Sequence, residues 1–308
     1  MAVSKQRARP FLKWAGGKSQ LLPQIDHFLP QTLKEGSIRR YVEPFVGSGA
    51  VFFHIAQAYA LRQLVISDFN RELILAYRTI RGHVEDVISA LREIEVNYHP
   101  LNEKARQVFF YDQRSSFNAA PLAGLSESSL PEENVERTAQ LIFLNRTCYN
   151  GLFRVNSKGE FNVPIGRYKN PTICDASNLR AVATVLQRTE VQFGHYDSCE
   201  PIVDEDTLVY FDPPYRPISK TANFTAYSQQ VFDDQAQIEL AQFYRKLDQR
   251  GAYLMLSNSD PQNIDPEDDF FETAYAGFRI ERVHARRRIN SRAEKRGPVN
   301  ELLIINYG

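Results

Sequence analysis

Short apolar runs punctuate the chain, and each stops at a polar or acidic residue. Tyr41-Val42 runs into Glu43, Leu64 to Ser67 into Asp68, Leu208 to Phe211 into Asp212, and Ala252 to Ser257 into Asn258. Runs of this length, rich in β-branched and aromatic residues, predict strands buried on both faces. Two more strands are predicted over Val191–Tyr196 and Glu301–Tyr307. Helical spacing fills the intervals. It covers Ala50–Ala60, then Asn70 to about Val96 with Leu73, Ile74, Tyr77 and Ile80 on one face. It returns over Asp233–Leu247 with Ile238, Leu240, Phe243, Tyr244 and Leu247 apolar. Strands alternating with helices predict an α/β sheet. Between about 75 and 171 the alternation lapses, which predicts a separate inserted lobe of helix-like segments with a polar loop at 118–134. No internal repeat is present.

The strand ends carry the chemistry. Leu208 to Phe211 is followed by Asp212-Pro213-Pro214-Tyr215, and two prolines without N–H donors stop the strand. A carboxylate, a stiff carbonyl and a flat ring therefore meet at a strand's carboxyl end, where open α/β sheets bind ligands. Upstream, Glu43-Pro44-Phe45-Val46-Gly47-Ser48-Gly49 reads as strand, glycine turn and helix. The G-x-G is shorter than a dinucleotide fingerprint, so a pyrophosphate is not implied. Asp68 lies 19 residues beyond Gly49, close to the ~20-residue offset of a ribose-binding acid. A helix-capping aspartate is the alternative there. Gly16-Gly17-Lys18 lacks phosphate-loop spacing, and a lysine at a helix start suits a carboxylate or a phosphate.

Composition changes this picture little. Hydrophobic residues make up 43% and charged residues 24%, with a formal net charge of +0. These values describe an ordinary globular chain, and no apolar run reaches membrane-spanning length. The basic start, Met1 to Arg9, lacks an apolar core, so a secretory signal is not expected. Cys148, Cys174 and Cys199 have no metal spacing, nor do His195 and His284, and no metal is expected. The distribution of charge is more telling. Arg146, Arg154, Lys158, Arg167 and Lys169 cluster between Leu141 and Pro171 against Glu160 alone, and a second basic cluster runs from Arg286 to Arg296. Around the first cluster, Asn, Arg and aromatic residues interleave. Such residues read base edges and wedge into duplexes.

A primary amine on an aromatic ring is a poor nucleophile, because its lone pair is delocalised. Two acceptors aimed at its N–H bonds favour the tetrahedral form that attacks. The Asp212 carboxylate and the Pro213 carbonyl are candidates, with Tyr215 to stack on the ring. An adenine in duplex DNA reaches such a pocket by leaving the stack.

In its motifs the chain resembles Dam-type DNA adenine-N6 methyltransferases. The likeness runs through Phe11–Lys18, Glu43–Gly49, Asp68, Leu144–Arg154, Gly159–Tyr168, Asp212–Tyr215 and Thr221–Tyr227. It implies a Rossmann-like methyltransferase sheet with helices on both faces, formed by 1–75 and 172–308, and a mainly helical target-recognition domain at 76–171. It also implies S-adenosylmethionine as methyl donor, bound by Trp14, Lys18, Glu43, Phe45, Gly47, Gly49, Asp68 and Asp212. Asp212, Pro213, Pro214 and Tyr215 match the catalytic tetrapeptide. Lys13, Tyr149, Asn150, Leu152, Arg154 and Pro164 match positions that contact DNA in GATC-specific members. Tyr149 resembles the ring that wedges into the duplex, and Arg154 a guanine reader. Asn223 and Tyr227 match a loop near the flipped base. The partner implied is double-stranded DNA, with a monomer in the cytoplasm on the nucleoid. A companion restriction endonuclease is left open, as are a different planar amine as substrate and a DNA-binding relative without catalysis.

Overall fold

The computed structural model describes residues 6–119, 131–216, 232–286 and 298–308. The chain divides into two compact units. One comprises Met1–Gly17, Gly47–Phe53 and Asn70–Phe193, the other Lys18–Val46, His54–Phe69 and Gly194–Gly308.

Helix α3 (Ala50–Ala58) follows the Gly47–Gly49 turn, and the second unit carries α1 (Leu22–Phe28), α2 (Gln31–Lys34) and most of the strands. Here β1 (Arg40–Glu43), β2 (Gln63–Asp68), β4 (Thr207–Phe211) and β5 (Tyr253–Ser259) run parallel. Strand β7 (Pro298–Ile305) lies antiparallel between β5 and β6 (Arg279–Arg286). The order across the unit is β2-β1-β4-β5-β7-β6. Val42 pairs with Val65 on one side and Val209 on the other, and Val209 pairs with Leu254. These residues join Phe211 and Leu256 in one buried cluster. The cluster also contains Leu240, Phe243, Tyr244 and Leu247 of helix α8 (Asp234–Asp248) and Phe271 of α9 (Phe270–Ala274). The alternate residues Tyr41, Tyr210, Met255 and Leu303 are also buried. With side chains alternating between faces, the sheet is covered on both. That is why its strands are continuous apolar runs, as a Rossmann-like core requires. Strand order reverses between β1 and β4, which makes the crevice at their carboxyl ends the topological switch point.

The first unit is mainly helical. It contains α4 (Arg71–Tyr98), α5 (Glu103–Ala119), α6 (Pro131–Thr147), α7 (Ala176–Leu186) and the short strand β3 (Thr189–Phe193). Asn70 caps α4 by accepting the Leu73 N–H, and the helix leaves helical geometry at His83. Helix α6 packs against both α4 and α5. It is buried on every side from Arg137 to Asn145, as a central helix must be. Its one buried cation, Arg137, forks onto the Glu72 carboxylate, donates to the Phe117 carbonyl and lies over the Phe117 ring. Paired this way, the charge is tolerated inside.

Helix α7 and strand β6 were not among the expected elements. Helix α7 has a clear start, because Asp175 accepts the Asn178 N–H, and Leu179, Val182, Ala183 and Leu186 are buried at helical spacing. Strand β6 is hidden by its charges. Arg282 and Glu281 interrupt the apolar pattern, and Arg282 is neutralised by Asp260 and Glu272. Among the described residues no helix is long and apolar enough to cross a membrane.

Candidate active site

In the second unit, β2 ends at Asp68, β1 at Glu43, and Asp212 follows β4 directly. Three neighbouring parallel strands thus deliver three carboxyl groups to one end of the sheet. Lys18, only 3% exposed, places its Nζ 2.7 Å from Asp212 Oδ1. Burial raises the Asp212 carboxyl to about 6; Lys18 opposes that shift and Glu301 adds to it. Glu43 is buried and accepts a hydrogen bond from Tyr41 Oη. Its carboxyl is raised strongly, first by burial, with Tyr41 and Lys18 opposing and Asp212 and Asp68 adding to the shift. Cationic groups and hydroxyl donors are the natural ligands of such an excess of acids.

The corner after β4 is braced from below. Gln237 of α8, fully buried, donates from Nε2 to the Pro214 carbonyl at 2.9 Å and accepts from Asn258 Nδ2 at 3.1 Å. Asn258, at the end of β5, accepts the Arg216 N–H in turn. The Pro214 carbonyl is therefore occupied. The Pro213 carbonyl receives no hydrogen bond from a described residue. Tyr215 Oη donates to Glu301 Oε2 at 2.6 Å, and Lys18 Nζ lies 4.6 Å from the Tyr215 ring centroid. Burial above all, then Asp212 and Glu301, pushes the Tyr215 hydroxyl well above its ordinary range. It stays a donor. Phe45, half-buried beyond β1, packs against Tyr196 and Phe232.

The first unit holds the glycine turn. Gly47 and Gly49 have φ of 48° and 73°, a region that favours glycine. A Cβ on Gly49 would lie 2.6 Å from Tyr77 Oη, which donates to the Gly47 carbonyl. Trp14 lies against Gly47, with Cδ1 3.2 Å from where a Cβ would sit, and stacks on Phe153 at 5.4 Å.

The same unit builds a tight hairpin from 148–166. Tyr149 N–H donates to the Pro164 carbonyl, Gly166 N–H to the Thr147 carbonyl, and Cys148 bridges Ile165. Tyr149, Asn150 and Pro164 are exposed together at this end. Asn150 adopts φ 57°, unusual outside glycine but most accessible to Asn and Asp. Leu152 is half-buried. Arg154 Nε donates to Asn162 Oδ1 at 2.7 Å, which orients the guanidinium while its two terminal nitrogens make no hydrogen bond to a described residue. Lys13 reaches Tyr168, with Nζ 3.3 Å from its hydroxyl. The Lys13 side chain crosses Gly151 so closely that a Cβ there would lie 2.3 Å from its Cδ.

Within the second unit, then, the structure unites Lys18 with Asp212 and Tyr215, and gathers Glu43 and Asp68 at neighbouring strand ends. Within the first it unites Trp14 with Gly47, Lys13 with Gly151, and Tyr149 with Pro164. Asn223, Tyr227 and most of the second basic cluster lie outside the described residues. Gln237, Asn258 and Glu301 were not foreseen, because each acts on the corner from a distant element. Asn145 was also missed. Buried on α6, it exchanges two hydrogen bonds with the Lys13 backbone and donates to the Gly151 carbonyl. Asn178 repeats the pattern on the Arg9 backbone. A buried polar side chain inside an apolar helix was the available signal. Among the described residues no three His, Cys, Asp or Glu side chains converge so that they could hold a metal ion.

Comparison with known proteins places these features in a family. The profile of the D12 class N6 adenine-specific DNA methyltransferases matches residues 14–289. The chain is 48% identical over 300 residues to the type II methyltransferase M.MjaIII of Methanocaldococcus jannaschii, covering 97% of this chain and 99% of that protein. It is 36% identical over 307 residues to the type II methyltransferase M1.LlaDCHI of Lactococcus lactis, covering 99% and 98%. It is 33% identical over 300 residues to the DNA adenine methylase of Escherichia coli K12, covering 97% and 96%. With a profile match across most of its length and relatives aligned nearly end to end, the chain belongs to the D12 class of N6 adenine-specific DNA methyltransferases.

Proposed function

We propose that this chain transfers a methyl group from S-adenosylmethionine to N6 of an adenine flipped out of double-stranded DNA, within GATC. One observation carries the reading: the Asp212–Tyr215 corner. A carboxylate is fixed at 2.7 Å by Lys18, beside a Pro213 carbonyl that meets no described donor and a ring tethered at its far end. Asp212 and Pro213 accept the two N6 hydrogens and draw the amine toward its tetrahedral form. Lys18 covers one face of the Tyr215 ring, so an adenine stacks on the opposite face. Asp212 is a base at the point where a proton must leave N6 once nitrogen is methylated.

The residues present fit the cofactor. Its cationic centres suit the acid-rich strand ends, its ribose hydroxyls suit Asp68, and its carboxylate suits Lys18. When bound, it supplies a methyl group on a positively charged sulfur. In the second unit Lys18, Glu43, Phe45, Asp68 and Asp212 take the cofactor role. In the first, Trp14 over Gly47 and the Gly47–Gly49 turn take it.

Recognition falls to 76–171 together with Lys13. Tyr149, Asn150 and Pro164 at the hairpin end suit a wedge and backbone contacts. The open fork of Arg154 suits the O6 and N7 acceptors of guanine. Leu152 supplies apolar contact, and Asn223 and Tyr227 act near the flipped base. The setting proposed is a monomer in the cytoplasm, acting on nucleoid DNA. Duplexes with and without GATC, incubated with methyl-labelled cofactor and digested to nucleosides, test the whole reading. Label in N6-methyladenine from the GATC duplex alone is the expected result. Label in another nucleoside refutes the reaction, and equal label in both duplexes refutes the target.

A further inference from the structure

Glu301 stands apart from every motif considered above, yet it is the residue that holds the far end of the Tyr215 ring. It lies on β7, where register places it opposite Ser259 of β5 and Val283 of β6. From there its carboxylate crosses to the corner after β4 and accepts the Tyr215 hydroxyl at 2.6 Å. A hydroxyl donating to a carboxylate at this length is among the stronger neutral-to-charged contacts. The hydroxyl oxygen lies on the χ2 axis, so gripping it fixes through χ1 where the ring sits, while the in-plane preference of a phenolic O–H favours a ring plane that contains the acceptor. The other fixed point is Lys18, which bonds Asp212 and lies over the same ring. Asp212, Lys18, Tyr215 and Glu301 thus form one chain of contacts, with the anionic groups at its ends and the ring between.

We propose that Glu301 is a positioning residue for the methyl transfer: through the Tyr215 hydroxyl it holds in place the ring on which the target adenine stacks. The inference rests on the reaction proposed above. A residue that only supports the strand would contribute equally whether or not Tyr215 carries a hydroxyl. A residue acting through that hydroxyl contributes nothing once it is removed. Its charge has a second effect, because Glu301 helps raise the Asp212 carboxyl. Removing the charge lowers the pH at which Asp212 becomes an acceptor.

The experiment is a double-mutant cycle on the full chain, read by single-turnover transfer to duplex DNA, together with a crystal structure of Glu301→Ala. Glu301→Ala is expected to slow transfer ten- to a hundredfold, with cofactor and DNA affinities within threefold of the parent protein. Glu301→Gln, whose amide oxygen still accepts from the hydroxyl, is expected to recover most of that loss and to move the acid limb of the pH profile downward. In a Tyr215→Phe background, Glu301→Ala is expected to cost less than a further threefold. The crystal structure is expected to show the Tyr215 ring displaced. Equal losses in the Tyr and Phe backgrounds overturn the proposal, as does a Tyr215 ring that keeps its place without Glu301. If the parent protein makes no N6-methyladenine, the reaction itself falls, and ring position in the crystal still decides what Glu301 does.

Discussion

Lys18→Met removes the cation beside Asp212 while keeping most of the side chain's volume. Lys18 is 3% exposed and its ammonium lies 2.7 Å from Asp212, whose side chain is 20% exposed. Breaking a buried ion pair by deleting one partner costs ~3–5 kcal/mol when the remaining charge cannot neutralise. Asp212 can neutralise, because burial already holds its carboxyl at about 6 and the variant moves it higher. The loss therefore depends on pH. Below about 6 the folded carboxyl is protonated in both proteins, and the stability difference is constant. Between about 6 and the variant's higher value, the folded variant holds a proton that the parent and both unfolded chains lack. Stability of the variant then falls relative to the parent by ~1.4 kcal/mol per pH unit. Urea unfolding at pH 5.5, 7 and 8 measures it. A stability difference that is the same at all three would refute the reasoning and leave lost packing as the sole effect.

On the proposed mechanism, in which the ionised Asp212 is the acceptor and base for the amine, the acid limb of kcat/KM should have a midpoint near 6, falling tenfold per pH unit below it. Asp212→Ala should nearly abolish transfer while DNA still binds, and turnover within tenfold of the parent would remove Asp212 from the mechanism. Arg154→Ala should relax discrimination at one guanine by ~1–3 kcal/mol in competition between cognate and singly substituted duplexes. An equal loss on all sequences would mark a phosphate contact instead. Gly151→Ala should weaken DNA binding without unfolding the protein. A φ of 64° disfavours any side chain, and the new Cβ would displace Lys13. Unchanged affinity by gel shift would show that Lys13 need not be held there.

Much of the second unit was legible in advance for one reason. Strands covered on both faces have to be apolar throughout, so β1, β2, β4 and β5 stood out, and the polar residue closing each run marked a strand end. The boundaries of these four shifted by a residue or two, while the strands expected over Val191–Tyr196 and Glu301–Tyr307 lie at Thr189–Phe193 and Pro298–Ile305. Asp233 proved to be the cap of α8, accepting the Ala236 N–H, where the apolar pattern had begun the helix itself. Strand β6, exposed and charged, lacked that signature. Helix α7 was passed over although its cap and spacing were both present.

The sequence alone determined which groups are offered: Lys18, Glu43, Asp68 and Asp212-Pro213-Pro214-Tyr215 at loop and strand ends, and an aromatic, basic segment around Tyr149 and Arg154. Chain chemistry is local there, since proline stops a strand and glycine permits a turn wherever they stand. Tertiary structure decided how those groups are held. Glu301 reaches Tyr215 because β7 runs antiparallel to β5 in a particular register, which one residue of slip would reverse. Gln237 reaches the Pro214 carbonyl because α8 packs its buried face beneath the corner. Asn145 reaches Lys13 because α6 is central in its unit. These contacts join residues far apart in the chain, and no spacing announces them.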